Sequence, residues 1–142
     1  MNKKLTVKKT IEINAPISKV WNALSNPELI KQYLFGTETL SNWKVGSEII
    51  FQGEYRGAKY RDKGKITKIE HEKLFQYTYW SGFSGLEDNE ENYSLVTYEL
   101  SEKNGKTLLS VTQQGFASEQ AEGHSENSWK MVLNSLKKLL ER

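Results

Sequence analysis

The sequence contains no cysteine and only two histidines, His71 and His124. Disulfides, thiolate nucleophiles and the usual cysteine and histidine ligand sets for transition metals are therefore excluded, and we expect no metal site. No apolar run approaches the roughly 18 residues that a membrane span requires. The first residues carry lysines but lack the apolar core of a signal peptide, so we expect a cytoplasmic protein.

The sequence also lacks a strong excess of either positive or negative charge. Twenty Lys and Arg residues face 18 Asp and Glu residues, which leaves a formal net charge of +2. The lysines lie near both ends and do not alternate with aromatic residues, so we expect solvated faces and no nucleic-acid partner. Neither a G-x-G-x-x-G motif nor a P-loop is present, and we expect no cofactor.

The 142 residues show no repeat, linker or break in composition. A chain of this length buries enough surface to fold without a disulfide or metal. We therefore expect one domain over residues 1–142, and a monomer.

The chain begins with a predicted strand and two short helices. Leu5, Val7, Ile11 and Ile13 alternate in period two, which predicts a first strand that changes face or bulges near Lys9. Helical spacing follows in "APISKVWNALSNPELIKQYL". The second helix is expected to begin at Pro27 and to end near Gly36.

From about Leu40 to Gln114 the sequence is typical of β-strands separated by glycines. Asn104-Gly105 lies between two such segments and predicts a tight hairpin. A final helix is predicted by apolar residues three and four apart, which are Trp129, Val132, Leu133, Leu136 and Leu140. This order predicts an α+β protein with a curved antiparallel sheet of six or seven strands.

Tyrosines lie on the predicted inward face of the sheet. Tyr77, Tyr79 and Tyr98 share strand phases with apolar residues, and Gln113 does the same on the last strand. Polar tips on such a face need hydrogen-bond partners, which favours a ligand cavity. The alternative is that these residues simply form a packed core.

The chain resembles the START-like, helix-grip superfamily, and within it the group described as activator of heat-shock protein 90 ATPase homologue-like. The resemblance is carried by "APISKVWNALSNPELIKQYL", "GSEIIFQGEY", "DKGKITKIEHEKLFQYTYW" and "GKTLLSVTQQGF", followed by the apolar residues of the last helix. It implies a helix-grip fold in which the long last helix crosses the sheet. It also implies a cavity between them, with Leu34 and Phe35 at its mouth.

The expected ligand-binding residues combine strand alternation with this resemblance. They are Leu34, Phe35, Phe51, Tyr77, Tyr79, Val96, Tyr98, Val111, Gln113, Trp129, Leu133 and Leu136. No catalytic residue is assigned, because both histidines lie at predicted element ends and no carboxylate has an inward phase. A triad of His124, Ser125 and Asp62 lacks the G-x-S-x-G motif.

Three function classes follow. The first is binding of a hydrophobic small molecule that is lipid-like, polyketide-like or aromatic. The second is partnership with the heat-shock protein 90 chaperone, which the resemblance implies. The third is a cyclase or hydratase that uses the same cavity, and the sequence favours a protein that is not an enzyme.

Overall fold

The computed structural model describes residues 2–142, with side chains from residue 4 onward. Its strands and helices, in chain order, are β1 (Asn2–Ile13), α1 (Ile17–Ser25), α2 (Pro27–Tyr33), β2 (Glu38–Ser41), β3 (Glu48–Tyr55), β4 (Ala58–Glu70), β5 (Leu74–Tyr79), β6 (Ser94–Lys103), β7 (Lys106–Phe116) and α3 (Glu119–Leu140). The predicted α+β fold, with two short helices after the first strand and a long last helix, is confirmed.

The seven strands form one antiparallel sheet in the order β1-β7-β6-β5-β4-β3-β2. Neighbours in the chain from β2 to β7 are neighbours in the sheet, whereas β1 pairs with β7. The described sheet therefore has two edges, formed by β1 and β2. The sheet curves and stays open, as in the helix-grip fold.

The prediction that β1 changes face or bulges near Lys9 is wrong. Register runs without interruption from Thr6 opposite Gln114 to Ile13 opposite Thr107, and the irregularity lies between Asn2 and Thr6. Lys9 keeps the same phase as Val7, and its ammonium reaches the Glu126 carboxylate of α3 at 2.7 Å. A long lysine stem can lie along an apolar face while its charge reaches solvent, which explains why the apolar pattern breaks there.

The two short helices follow the predicted signals. Asn26 accepts a hydrogen bond from the Glu28 amide at 3.0 Å, and Pro27 occupies the first turn, where its missing N–H costs nothing. The chain leaves α2 through Phe35 and Gly36, both at positive φ, and the Gly36 amide donates to the Lys31 carbonyl at 2.9 Å. The helix ends at Tyr33, near the predicted Gly36, which lies three residues further on in the turn that follows.

The predicted hairpin between β6 and β7 is also confirmed. Lys103 lies opposite Lys106, and the two residues between them, Asn104 and Gly105, have φ values of 52° and 79°. Positive φ at both positions is the requirement of a type I′ turn. The turn fixes the register that places β6 and β7 residues side by side.

Helix α3 begins at a capping serine and lies against the sheet through its apolar stripe. The Ser118 hydroxyl accepts from the Ala121 amide at 3.1 Å. Leu133, Leu136 and Leu140 are buried, whereas Trp129 is only partly buried. Among residues 2–142, no helix is both long and apolar enough to cross a membrane.

Candidate functional site

The residues predicted to bind a ligand mostly share one buried face of the sheet. The buried ones are Phe51, Tyr77, Val96, Tyr98, Val111, Gln113, Leu133 and Leu136. Leu34, Tyr79 and Trp129 are partly buried and pack against the same core. Phe35 differs, because its side chain is 65% exposed.

Strand register explains why these side chains meet. Tyr77 of β5 lies opposite Val96 of β6, and Val96 lies opposite Gln113 of β7. Tyr98 of β6 likewise lies opposite Phe75 of β5 on one side and opposite Val111 of β7 on the other. Because residues directly opposite each other point to the same side, one face collects them all.

The rings on this face form what we call the aromatic cluster, which consists of Phe51, Phe75, Tyr77, Tyr79, Tyr98 and Trp129. Ring centroids lie 5.3 Å apart for Phe75 and Tyr77, and 5.6 Å apart for Phe51 and Tyr77. Tyr98 and Trp129 meet edge to face at 5.8 Å, which joins the sheet to α3. These spacings are typical of favourable aromatic pairs.

Three buried tyrosines, Tyr33, Tyr77 and Tyr98, lie in or beside the aromatic cluster and have uncharged hydroxyls. Burial, and then the neighbouring Tyr98, raise the pKa of Tyr33 and of Tyr77 well above the ordinary value. Burial also raises the pKa of Tyr98, and contact with Tyr77 opposes this in part. All three side chains therefore stay protonated at neutral pH and can donate a hydrogen bond.

Tyr33 was not among the predicted site residues. It lies at the end of α2, three residues after the buried Ile30, and it is itself 3% exposed. The spacing of Ile30 and Tyr33 gives a helical signal for a shared buried side. Because α2 and β6 are far apart in the sequence, the sequence alone does not show that Tyr33 lies near Tyr98.

Thr39 places a further polar atom in this region. Its side chain is 2% exposed, and Thr39 lies opposite Phe51 in the pairing of β2 with β3. Among the described residues, Thr39 Oγ1 is the buried side-chain atom that has no hydrogen-bond partner. An unpaired buried hydroxyl costs about 1 to 3 kcal/mol, so this atom has an unmet capacity for a hydrogen bond.

Gln113 makes three hydrogen bonds to other side chains. Its Nε2 donates to Ser94 Oγ at 2.8 Å, and its Oε1 accepts from Ser125 Oγ at 2.9 Å and from Trp129 Nε1 at 2.8 Å. One amide therefore connects β6, β7 and α3. Ser94 and Ser125 were not predicted, although Ser94 shares the phase of Val96 and Ser125 precedes Trp129 by four residues.

Tyr79 is tied to the loop that follows it. Its hydroxyl donates to Asp62 Oδ2 at 2.6 Å, and the Gly82 amide donates to Asp62 Oδ1 at 3.0 Å. Burial, and then the Asp62 charge, raise the pKa of Tyr79. Asp62 thus anchors the loop, while the Phe83 ring of that loop lies 5.7 Å from the Tyr60 ring.

Among the described side chains, the buried ones include polar groups but no charged group. The buried polar residues of the described chain are Thr37, Thr39, Ser94, Thr107 and Gln113. None of them is a general base of near-neutral pKa. Among the described residues, no group of three or more histidine, cysteine, aspartate or glutamate side chains could hold a metal ion. The arrangement can donate and accept hydrogen bonds to an uncharged molecule.

Comparisons with known proteins agree with this geometry. The family model described as "Activator of Hsp90 ATPase homolog 1-like protein" matches residues 14–141. The solution structure of ChR145 from Cytophaga hutchinsonii is 42% identical, with a TM-score of 0.84, and the match covers 99% of this chain and 97% of that one. No curated protein matches the chain.

Two further structures share the fold at low identity. The Aha1 dimer from Colwellia psychrerythraea is 19% identical, with a TM-score of 0.75 and 96% coverage of each chain. DynU16, a protein of the dynemicin biosynthetic locus, is 15% identical with a TM-score of 0.80, and the match covers 96% of this chain and 47% of that one. Identities this low show the fold alone.

Proposed function

Because the chain belongs to the family of activator of Hsp90 ATPase homolog 1-like proteins, we propose that it binds a hydrophobic small molecule between the sheet and α3. The observation that carries this proposal is the unpartnered Thr39 hydroxyl beside the aromatic cluster. A protein that needs this face only as a core gains nothing from leaving that atom unpaired. A ligand with a polar atom supplies the missing partner.

The lining favours an uncharged ligand that is largely flat. Aromatic rings offer broad apolar surfaces, and the phenols of Tyr33 and Tyr98 offer hydrogen-bond donors, whereas the Tyr77 hydroxyl is already hydrogen-bonded to Tyr98. Burying a charge among them without a partner is costly. Ligand entry separates rings that are packed together, so binding shifts the protein toward a more open arrangement.

Partnership with a chaperone is the second candidate. It is favoured by the description of the family, and by the solved Aha1 dimer of the same fold. Fold resemblance alone does not transmit function. An enzyme of the cyclase or hydratase type receives less support, because the described interior holds no charged side chain to serve as a base.

The proposal is tested by Thr39→Val, which removes the unpartnered hydroxyl at nearly constant shape. We expect the free energy of unfolding to rise by about 1 kcal/mol, because a buried unpaired group is lost. Affinity for flat apolar probes should fall by about 0.5 to 1.5 kcal/mol, the worth of one hydrogen bond. Denaturant unfolding and quenching of tryptophan fluorescence measure the two quantities.

Thr107→Val is the matched control. Thr107 is also buried, but its hydroxyl donates to the Ala15 carbonyl at 2.8 Å. This variant should lose about 1 to 3 kcal/mol of stability and leave affinity unchanged. If no probe binds the parent protein, and the protein instead raises a chaperone's ATPase rate several-fold, the chaperone hypothesis replaces ours.

A further inference from the structure

The edge strand β2 has a partner strand on one side only. Within residues 2–142 the sheet ends at β2, and Glu38–Ser41 pairs with β3 alone. In an antiparallel pair, alternate residues direct both backbone groups to the partner, so two of the four residues of β2 direct theirs away from β3. In the described chain, no backbone group of Glu38–Ser41 makes a hydrogen bond outside the pairing with β3. The edge therefore presents donors and acceptors to a further strand.

A groove with a volume of about 640 Å³ lies along this edge. It is lined by β2, by Glu48 and Ile50 of β3, and by Pro27 and Glu28 at the start of α2. The open edge and the groove are adjacent, so a segment that pairs with β2 can place its side chains in the groove.

At this edge, one face of the sheet combines carboxylates with an exposed apolar side chain. Leu40 lies opposite Ile50, so the two side chains point to the same side of the sheet. Glu38 and Glu48 lie two residues away from them along β2 and β3, so they share that side. This is the outer face, since Phe51 has the opposite phase and points into the core. The Leu40 side chain is 44% exposed, so it offers an apolar contact to a neighbouring strand.

The groove carries negative charge. Glu28, Glu38 and Glu48 are exposed, and no described Lys or Arg side chain lines the groove. Lys65 lies opposite Glu48, but within residues 4–142 the ion pairs closer than 4 Å involve other side chains than these three carboxylates. Charges on a partner of opposite sign would therefore complement the groove.

We propose that the edge of β2 binds an extended basic segment of another protein as an added strand. Side chains of such a segment alternate, so every second one reaches the outer face. A segment with the pattern basic–x–apolar–x–basic places its apolar side chain beside Leu40 and its two cations near Glu38 and Glu48. The pattern is the same in both directions, so it suits parallel and antiparallel pairing alike.

A second copy of this chain fits the edge less well. Two β2 strands related by a twofold axis would bring Glu38 and Glu48 of both copies onto one face, where like charges repel. A basic partner brings attraction instead. The edge lies outside the aromatic cluster, so this inference does not depend on whether the interior binds a ligand.

The test compares three capped seven-residue peptides, titrated against the full chain by fluorescence anisotropy. The alternating peptide Thr-Lys-Thr-Leu-Thr-Lys-Thr should bind about fivefold more tightly than the shuffled peptide Lys-Thr-Thr-Leu-Thr-Thr-Lys, since two exposed ion pairs contribute about that factor. The shuffled peptide has the same composition, but its lysines lie three residues from the leucine and so face the other side. The acidic peptide Thr-Glu-Thr-Leu-Thr-Glu-Thr should bind too weakly to measure. Added salt should reduce the preference for the alternating peptide.

Amide hydrogen exchange locates the bound peptide. The alternate residues of Glu38–Ser41 whose N–H groups point away from β3 should exchange rapidly in the chain alone and more slowly with the alternating peptide, because an added strand supplies their acceptors. Binding without this protection would overturn the added strand, because charge alone would then hold the peptide.

Variants assign the preference to the carboxylates. Glu38→Gln combined with Glu48→Gln should abolish the preference for the alternating peptide over the shuffled one. Glu99→Gln combined with Glu102→Gln removes the same charge from exposed positions on β6 and should preserve the preference. All four side chains are exposed, so the variants are expected to fold.

Three further outcomes would overturn the proposal. The first is no measurable binding of the alternating peptide, or equal binding of the alternating and shuffled peptides. The second is a preference that survives Glu38→Gln with Glu48→Gln. The third is sedimentation of the peptide-free chain as a dimer whose β2 amides are already protected, because a second copy would then occupy the edge.

Discussion

Gln113 illustrates how one side chain can fix the position of a whole helix. Its amide accepts from Ser125 and Trp129 of α3 and donates to Ser94 of β6. An amide has two donors and two acceptor positions, and three of these four are used here. The side chain is 9% exposed, so its partners depend on it rather than on water.

Gln113→Leu should therefore destabilise the fold by about 1 to 3 kcal/mol, because it leaves the Trp129 N–H and the Ser125 hydroxyl without the oxygen that accepts from them. Chemical denaturation measures this change. Gln120→Leu is the matched control, since Gln120 lies exposed in the first turn of α3, and its effect should stay within about 0.5 kcal/mol. Equal stability of the two variants would show that the amide network does not hold α3.

Alternation along each strand predicted the inward residues correctly, because side chains at every second position must share a face. Phe51, Tyr77, Tyr98 and Val111 all lie on the buried side for this reason. The hydrogen-bond partners of the inward tyrosine hydroxyls could not be predicted from the sequence. Asp62 reaches Tyr79 across 17 residues of sequence, and such a contact depends on register that no single strand encodes.

At the scale of elements, α3 is attached to the sheet by different means along its length. Near its start Lys9 pairs with Glu126, in the middle Trp129 meets Tyr98, and near its end Lys137 donates to the Glu12 carbonyl at 2.7 Å. The apolar stripe was readable from the sequence, because its three- and four-residue spacing is specific to helices. The polar attachments were not, since they join α3 to β1 across more than a hundred residues.

Trp129→Ala should lower the free energy of unfolding by roughly 3 kcal/mol, the lower end of the range for large aromatic deletions, because the ring is only partly buried. The loss combines the edge contact with Tyr98 and the indole hydrogen bond to Gln113. Thermal and denaturant unfolding both report it. Met131→Ala, at a side chain 61% exposed on the same helix, should change stability by less than about 0.5 kcal/mol.

At the scale of the whole molecule, the fold concentrates neutral tyrosines at one place. Tyr33 comes from α2, Tyr77 and Tyr79 come from β5, and Tyr98 comes from β6. Burial is the largest cause of the raised pKa at each of them. Ionising any one of these phenols inside the folded protein would place a charge in an interior where residues 4–142 supply no buried cation.

This arrangement predicts an alkaline limit to stability. Each of the four tyrosines has a folded pKa above its unfolded value of about 10, so the unfolded state loses its protons first as pH rises. Their contribution to stability is therefore complete below about pH 10 and declines above it, by about 1.4 kcal/mol per pH unit for each tyrosine. Denaturant unfolding at a series of alkaline pH values, with tyrosinate absorbance recorded in parallel, measures the slope. Tyr33→Phe removes one of these groups and should make the decline less steep. A decline that begins well below pH 10, or one that Tyr33→Phe leaves unchanged, would contradict the burial of Tyr33 in its protonated form.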